Sequence, residues 1–248
     1  MTWVPPESLE EKIKNMLIGK EFYIKRKYYR ELKKGEKEIG LVPYLSNRKR
    51  ISLDVGANKG IYTYVLLKHS MEVHAFEPNP KMFKVLEAWS KNKARLHQVA
   101  LSDFSGEAEL KIPKRKNGYS NQGGSLSAEK TAGQECGIVK VVTTRLDEMK
   151  IDNVGFIKID VEGFEVQVLR GVEELIRKNK SNLLVEIEEK HNKKPIEEII
   201  AEICEYGYQC FALCNGFLKN INNINLDYHH RNPKTRDDYI FNFIFLPV

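Results

Sequence analysis

A chain of 248 residues with 42% hydrophobic content can bury one substantial core, and it fits a single α/β domain with a small addition better than two independent domains. Lys and Arg outnumber Asp and Glu by 40 to 34, a net charge of +6, but the signs are interleaved, which is a mild bias toward anionic partners and no more. The four cysteines, Cys136, Cys204, Cys210 and Cys214, form no C-x-x-C pair and read as reduced thiols, while no apolar run of about 18 residues and no leader-like start occur, so a soluble cytoplasmic protein without a membrane span is expected.

Residues 1–48 carry a helical pattern and the densest basic segment, "EEKIKNMLIGKEFYIKRKYYRELKKGEKEIG". They read as an N-terminal helical cap with a solvated basic face, on a main domain spanning residues 49–248. From residue 51 short apolar runs alternate with longer amphipathic ones, the pattern of βαβ units and a parallel sheet with helices on both faces. "ISLDV", "EVHAF", "RLHQVAL", "VGFIKID", "NLLVEIE" and "YQCFALC" are the expected strands, and "IYTYVLLKHS", "PKMFKVLEAWSKN", "FEVQVLRGVEELIRKN" and "PIEEIIAEICEYG" the helices. Two further extended segments, "GEAELKIP" and "GIVKVVTT", flank the Gly- and Ser-rich "NGYSNQGGSLSAEKTAGQECG", whose composition suggests a mobile loop and a lid. The final run "YIFNFIFLP" follows a polar loop with no room for a crossover helix, so an antiparallel last strand is expected.

In open α/β sheets ligands sit beyond the carboxyl ends of the strands, which makes the first strand-to-helix turn, "DVGANKG", the most informative segment. Gly56 and Gly60 lie four apart, and the G-x-G-x-x-G dinucleotide fingerprint is absent. Asp54 would repel a pyrophosphate there but attract a cationic ligand. S-adenosylmethionine is one, with a charged amine and sulfonium and no phosphate. Glu77 ends the second strand, where an acid can accept hydrogen bonds from both ribose hydroxyls.

Taken in order, "DVGANKGIYT", "FEPNP", "VALSDFSG", "IKIDVEGFEVQVLRG" and "LLVEIEEKH" resemble the FkbM family of S-adenosylmethionine-dependent methyltransferases, usually O-methyltransferases. The resemblance covers about residues 50–191. It implies a class I, Rossmann-like fold with a mostly parallel seven-stranded sheet and a reversed last strand. It also implies that Asp54, Gly56 and Gly60 line the methionine portion, that Asn58 packs or bonds in the turn, that Glu77 holds the ribose, and that the Ala100 to Ser102 backbone borders adenine.

Methyl transfer is an in-line displacement that must align an acceptor oxygen and relieve it of a proton. Asp160, at the end of "IKID", is placed for that work and for binding the methionine amine. Glu162 lies two residues on, as either a second working carboxylate or a helix N-terminal acid. Glu186 and Glu188 share a strand face, and His191 just beyond them has a pKa suited to a general base. Asp160, Glu188 and His191 are the candidate catalytic set. Together they could bind a divalent ion, but a hard cation needs more oxygen ligands than the sequence places, so no metal is assigned. His229, His230, Arg231 and Arg236 belong either to a solvated loop or to the acceptor cleft. The expected activity is methylation of a hydroxyl on a sugar or other small metabolite. Nucleic-acid methylation is disfavoured, because "IDVEG" is not the N-P-P-Y type and the last strand carries no acid. A non-catalytic S-adenosylmethionine-binding module is the alternative from another class.

Overall fold

The computed structural model describes residues 3–6, 19–116, 118–120, 122–192 and 194–248. Its strands in chain order are β1 (Ile51–Val55), β2 (Glu72–Phe76), β3 (Arg95–His97), β4 (Ala100–Leu101), β5 (Gly106–Arg115), β6 (Gly118–Tyr119), β7 (Cys136–Thr144), β8 (Val154–Ile159), β9 (Asn182–Glu186), β10 (Tyr208–Cys214), β11 (Phe217–Asn220) and β12 (Asn242–Pro247). The longer helices are α1 (Lys20–Lys34), α2 (Ile61–Leu66), α3 (Pro80–Ser90), α4 (Glu165–Arg170), α5 (Glu173–Asn179) and α6 (Ile196–Cys204).

One sheet runs β3-β2-β1-β8-β9-β12-β10-β11. β1, β2, β3, β8 and β9 pair in parallel, whereas β12 is antiparallel to both of its neighbours, β9 and β10. The last strand therefore lies inside the sheet. Central β8 is buried at all six positions, because a parallel strand covered on both faces needs apolar residues on both. Lys158 is the exception in that run.

Eight strands stand where seven were expected. The additional one, β11, folds back from β10 through Asn215 and Gly216, both at positive φ (53° and 80°), with Cys214 opposite Phe217. That is the type I′ hairpin an Asn-Gly pair favours.

Two other expected elements are broken. "RLHQVAL" divides into β3, in the main sheet, and β4, in a smaller sheet of order β4-β7-β5-β6. The helix expected over residues 164–179 is interrupted at Gly171, where a Cβ would lie 1.9 Å from the Ser102 carbonyl oxygen. The Gly- and Ser-rich segment between β6 and β7 is anchored to β5, since Lys111 and Ser125 exchange two backbone hydrogen bonds of 3.0 Å.

α1 packs across α2 and α3, burying Ile24 among Ala57, Ala75, Leu86 and Trp89. Residues 1–2 and 7–18 of the expected N-terminal cap lie outside the described residues. Among the described residues no helix is long and apolar enough to cross a membrane.

Candidate active site

The site is built at the carboxyl ends of β1, β2 and β8. After β1 the chain turns back with Gly56, Asn58 and Gly60 all at positive φ, and the amides of Gly56 and Ala57 both donate to the Phe76 carbonyl, at 3.0 and 2.9 Å. The turn is thereby tied to β2. Across from it, a Cβ on Gly56 would lie 1.8 Å from the Asp160 carbonyl oxygen. Glycine is required there twice over, by φ and by contact.

Glu77 is the best-held acid of the site. Its two carboxyl oxygens accept from the amides of Asn58 and Asn79, each at 2.7 Å. Asn79 in turn caps α3 by accepting from the Lys81 amide, with Pro80 at the first helical position, the arrangement that best satisfies a helix start. Burial pushes the Glu77 carboxyl up to about 7 against those two amides. Asp54 is also buried; it accepts from the Thr63 hydroxyl, and burial raises it to about 6.

These groups open on a cavity of about 670 Å³, within the size range of small-molecule sites. Asp54, Gly56, Asn58, Glu77, Ala100 and Asp160 all line it. Phe76, Met82 and Leu101 give it an apolar flank beside Ala100. Gln122 to Leu126 of the Gly- and Ser-rich segment also face it, and the Ser125 hydroxyl donates to the Glu162 carbonyl at 2.7 Å.

Gly60, Ser102, Glu188 and His191 are not among the lining residues. Gly60 serves packing, since a Cβ there would meet Leu86 and Trp89 at 2.5 and 2.6 Å. Ser102 is fully buried, with its hydroxyl donating to Asp103 and its carbonyl against Gly171. Glu188 accepts from the Tyr239 hydroxyl and pairs with Lys190. His191 lies 3.8 Å from Glu188, its imidazole lowered to about 4 by burial and by Lys130. Among the described residues no three His, Cys, Asp or Glu side chains are grouped to hold a metal ion. Of the late-loop candidates only Arg236 lines the cavity. Arg231 clamps Glu189, Glu197 and Asp227, His230 accepts from the Glu189 amide, and His229 Nε2 lies 3.6 Å from the Cys214 thiol.

The cavity also exposes groups that the motifs do not single out. Lys158 lines it too, paired with Asp54 in the β1–β8 register. Tyr62 of α2 and Glu36 stand beside it, joined by a 2.8 Å hydrogen bond from the tyrosine hydroxyl. The alternation of "IKID" does place Lys158 on the Asp160 face, which is the one sequence signal for it.

The family profile described as Methyltransferase FkbM domain matches residues 54–210, more than half of the chain, and the chain belongs to that family. Among solved structures it is similar to the methyltransferase FkbM of Methylobacillus flagellatus KT, at 16% identity and a TM-score of 0.55, over 88% of this chain and 47% of that one. This chain thus spans about half the length of that relative. A putative methyltransferase from Streptococcus mutans in complex with SAH aligns at 10% identity and a TM-score of 0.49, over 86% of this chain and 97% of the other. An rRNA methylase from Streptococcus thermophilus aligns at 10% identity and a TM-score of 0.46, over 86% and 95%. No curated protein sequence matches the chain.

Proposed function

We propose that the protein is an S-adenosylmethionine-dependent O-methyltransferase acting on a hydroxyl of a sugar or other small metabolite. The observation that carries the reading is the Glu77 carboxyl, which lines the cavity and is fixed by two backbone amides. Each of its oxygens keeps a lone pair for a ribose hydroxyl. The rest of the cavity fits the same donor. Asp54 and Asp160 supply negative charge for a cationic amine and sulfonium, Gly56 lets the first turn close against the Asp160 backbone, and Phe76, Met82, Ala100 and Leu101 suit an adenine ring. A pyrophosphate would meet the Asp54 carboxylate instead.

Bound here, S-adenosylmethionine would supply an electrophilic methyl carbon on a sulfur that leaves as a neutral thioether. Asp160 is the residue we assign to take the acceptor proton, because it alone of the candidate catalytic set lines the cavity.

Thermal unfolding with S-adenosylhomocysteine, NAD or NADP in excess tests the donor. A ligand at about 100 times its Kd adds roughly 2.7 kcal/mol of stability. Stabilisation by S-adenosylhomocysteine alone is expected, followed by methyl transfer to members of a sugar panel. Stabilisation by NAD would overturn the reading.

A further inference from the structure

Lys158 is a buried cation at the cavity. It is 1% exposed, in a strand otherwise apolar, and moving an ammonium out of water costs several kcal/mol unless other groups compensate. Its compensation is incomplete. The two polar contacts of its Nζ among the described residues are long, 3.4 Å to the Ile159 carbonyl and 3.5 Å to Asp160 Oδ2, against 2.7–3.2 Å for a normal N–H···O bond. The Tyr62 ring lies 5.1 Å away, and the Tyr62 hydroxyl is committed to Glu36. An ammonium has three N–H donors to place, and this residue lines a cavity.

Its charge is nonetheless secure. Burial pulls the Lys158 pKa down, but Asp160, Glu186, Glu36 and Asp54 together hold it above the ordinary value. The group is therefore a fixed cation beside a carboxylate, too far from it for a short ion pair and close enough for one oxygen to touch both. An alcohol oxygen is the chemistry that matches, because it accepts one hydrogen bond and donates another. A carboxylate or phosphate would meet Asp160 and Glu36 as well as Lys158, with no proton to offer them.

From this arrangement we infer that Lys158 is a second catalytic residue, donating a hydrogen bond to the acceptor oxygen while Asp160 takes that oxygen's proton. The inference rests on the donor reading above. As the O–H bond breaks, its proton goes to the Asp160 carboxylate and the electron pair left on oxygen bonds to the methyl carbon; the carbon–sulfur pair stays on sulfur. Lys158 keeps its protons throughout and stabilises the negative charge developing on oxygen, the preorganised electrostatic effect that dominates many enzyme barriers.

Binding alone tests this, with no acceptor required. Sinefungin carries a primary amine where S-adenosylmethionine carries its transferable methyl, so its added cation reports the charge at the acceptor position, and S-adenosylhomocysteine serves as the reference without it. Calorimetry would measure both ligands on the wild type, Lys158→Met, Lys158→Arg and Asp160→Asn. Lys158→Met should favour sinefungin over S-adenosylhomocysteine by about 10-fold, Asp160→Asn should disfavour it by about 10-fold, and Lys158→Arg should restore the wild-type ratio. Should Lys158→Met not fold, Lys158→Gln, which keeps N–H donors without the charge, carries the same expected shift. Equal changes in both affinities would mean that Lys158 only supports the fold, and the inference fails while the donor reading stands. Absence of S-adenosylhomocysteine binding in the wild type would take down both.

Discussion

Gly56 and Asp160 are in contact through their backbones: the space where a Gly56 Cβ would stand is filled by the Asp160 carbonyl oxygen, 1.8 Å away. The two residues follow neighbouring strand ends, and both line the cavity. Gly56→Ala would force that carbonyl aside and hold alanine at φ +78°, which together should cost about 3 kcal/mol. Urea unfolding is expected to show that loss, and S-adenosylhomocysteine affinity should fall with it, because Asp160 is displaced. A variant with unchanged stability would show that the turn relaxes freely.

Glu77 and Asp54 predict a pH dependence with a definite sign. Burial raises Glu77 from 4.5 to about 7 and Asp54 from 3.8 to about 6. Between the unfolded and folded values the folded protein retains protons that the unfolded chain has released, so unfolding free energy falls as pH rises from about 4 to about 7. For Glu77 the effect amounts to up to about 3 kcal/mol. Melting temperature of the ligand-free protein should drop across this window, and Glu77→Gln should flatten the drop. S-adenosylhomocysteine affinity should move the other way, rising toward pH 8, because two ribose hydroxyls donate best to an ionised carboxylate.

Asn242 is a buried amide without a partner. It is 1% exposed, neither of its side-chain polar atoms has a hydrogen bond among the described residues, and it lies opposite Glu186 in the β12–β9 register. An unsatisfied buried amide costs about 1–3 kcal/mol. Asn242→Leu, which keeps the branching and the number of heavy atoms, should therefore raise stability by about 1 kcal/mol in urea unfolding. A decrease instead would indicate a buried water bridging Asn242 to its neighbours.

How far the site can be read from sequence follows from how local each signal is. Gly56, Asn58 and the Asp54 strand end fall within five residues, and the turn they make is dictated by φ preferences that any window of that length reveals. Glu77 is legible because it closes an unmistakable strand. Gly60 looks identical to Gly56 in sequence, yet one faces Trp89 and the other Asp160, a difference set by packing alone. Ser102 is hidden for the same reason, since Gly171 that presses on it is remote in the chain. Lys158 is harder still: the value of a buried lysine depends on Asp54, Glu36 and Tyr62, which strand pairing and the N-terminal segment bring to it. The hairpin that adds β11 did carry a local signal, the Asn215-Gly216 pair, but the polar residues after it mask the strand.

Glu162 links the site to the Gly- and Ser-rich segment. It holds φ +60°, an uncommon conformation for a non-glycine residue, and both of its ends are occupied by that segment: its carbonyl accepts from Ser125 and its carboxylate pairs with Lys130. Residues 122–126 line the cavity, and breaking the pair should loosen the segment by removing one of its ties, with the Ser125 bonds to Lys111 and Glu162 left in place. The side chains of Lys130 and Glu162 are 12% and 25% exposed, so the pair is shielded, and Ser125, Ser127 and Thr131 of the segment are themselves buried. Lys130→Ala should therefore lower global stability by about 2 kcal/mol while speeding S-adenosylhomocysteine release by roughly 10-fold, since loop opening gates many ligand sites. Stopped-flow displacement measures the release rate directly. An unchanged rate alongside the expected stability would show that the segment is a fixed wall and that ligand leaves by another route.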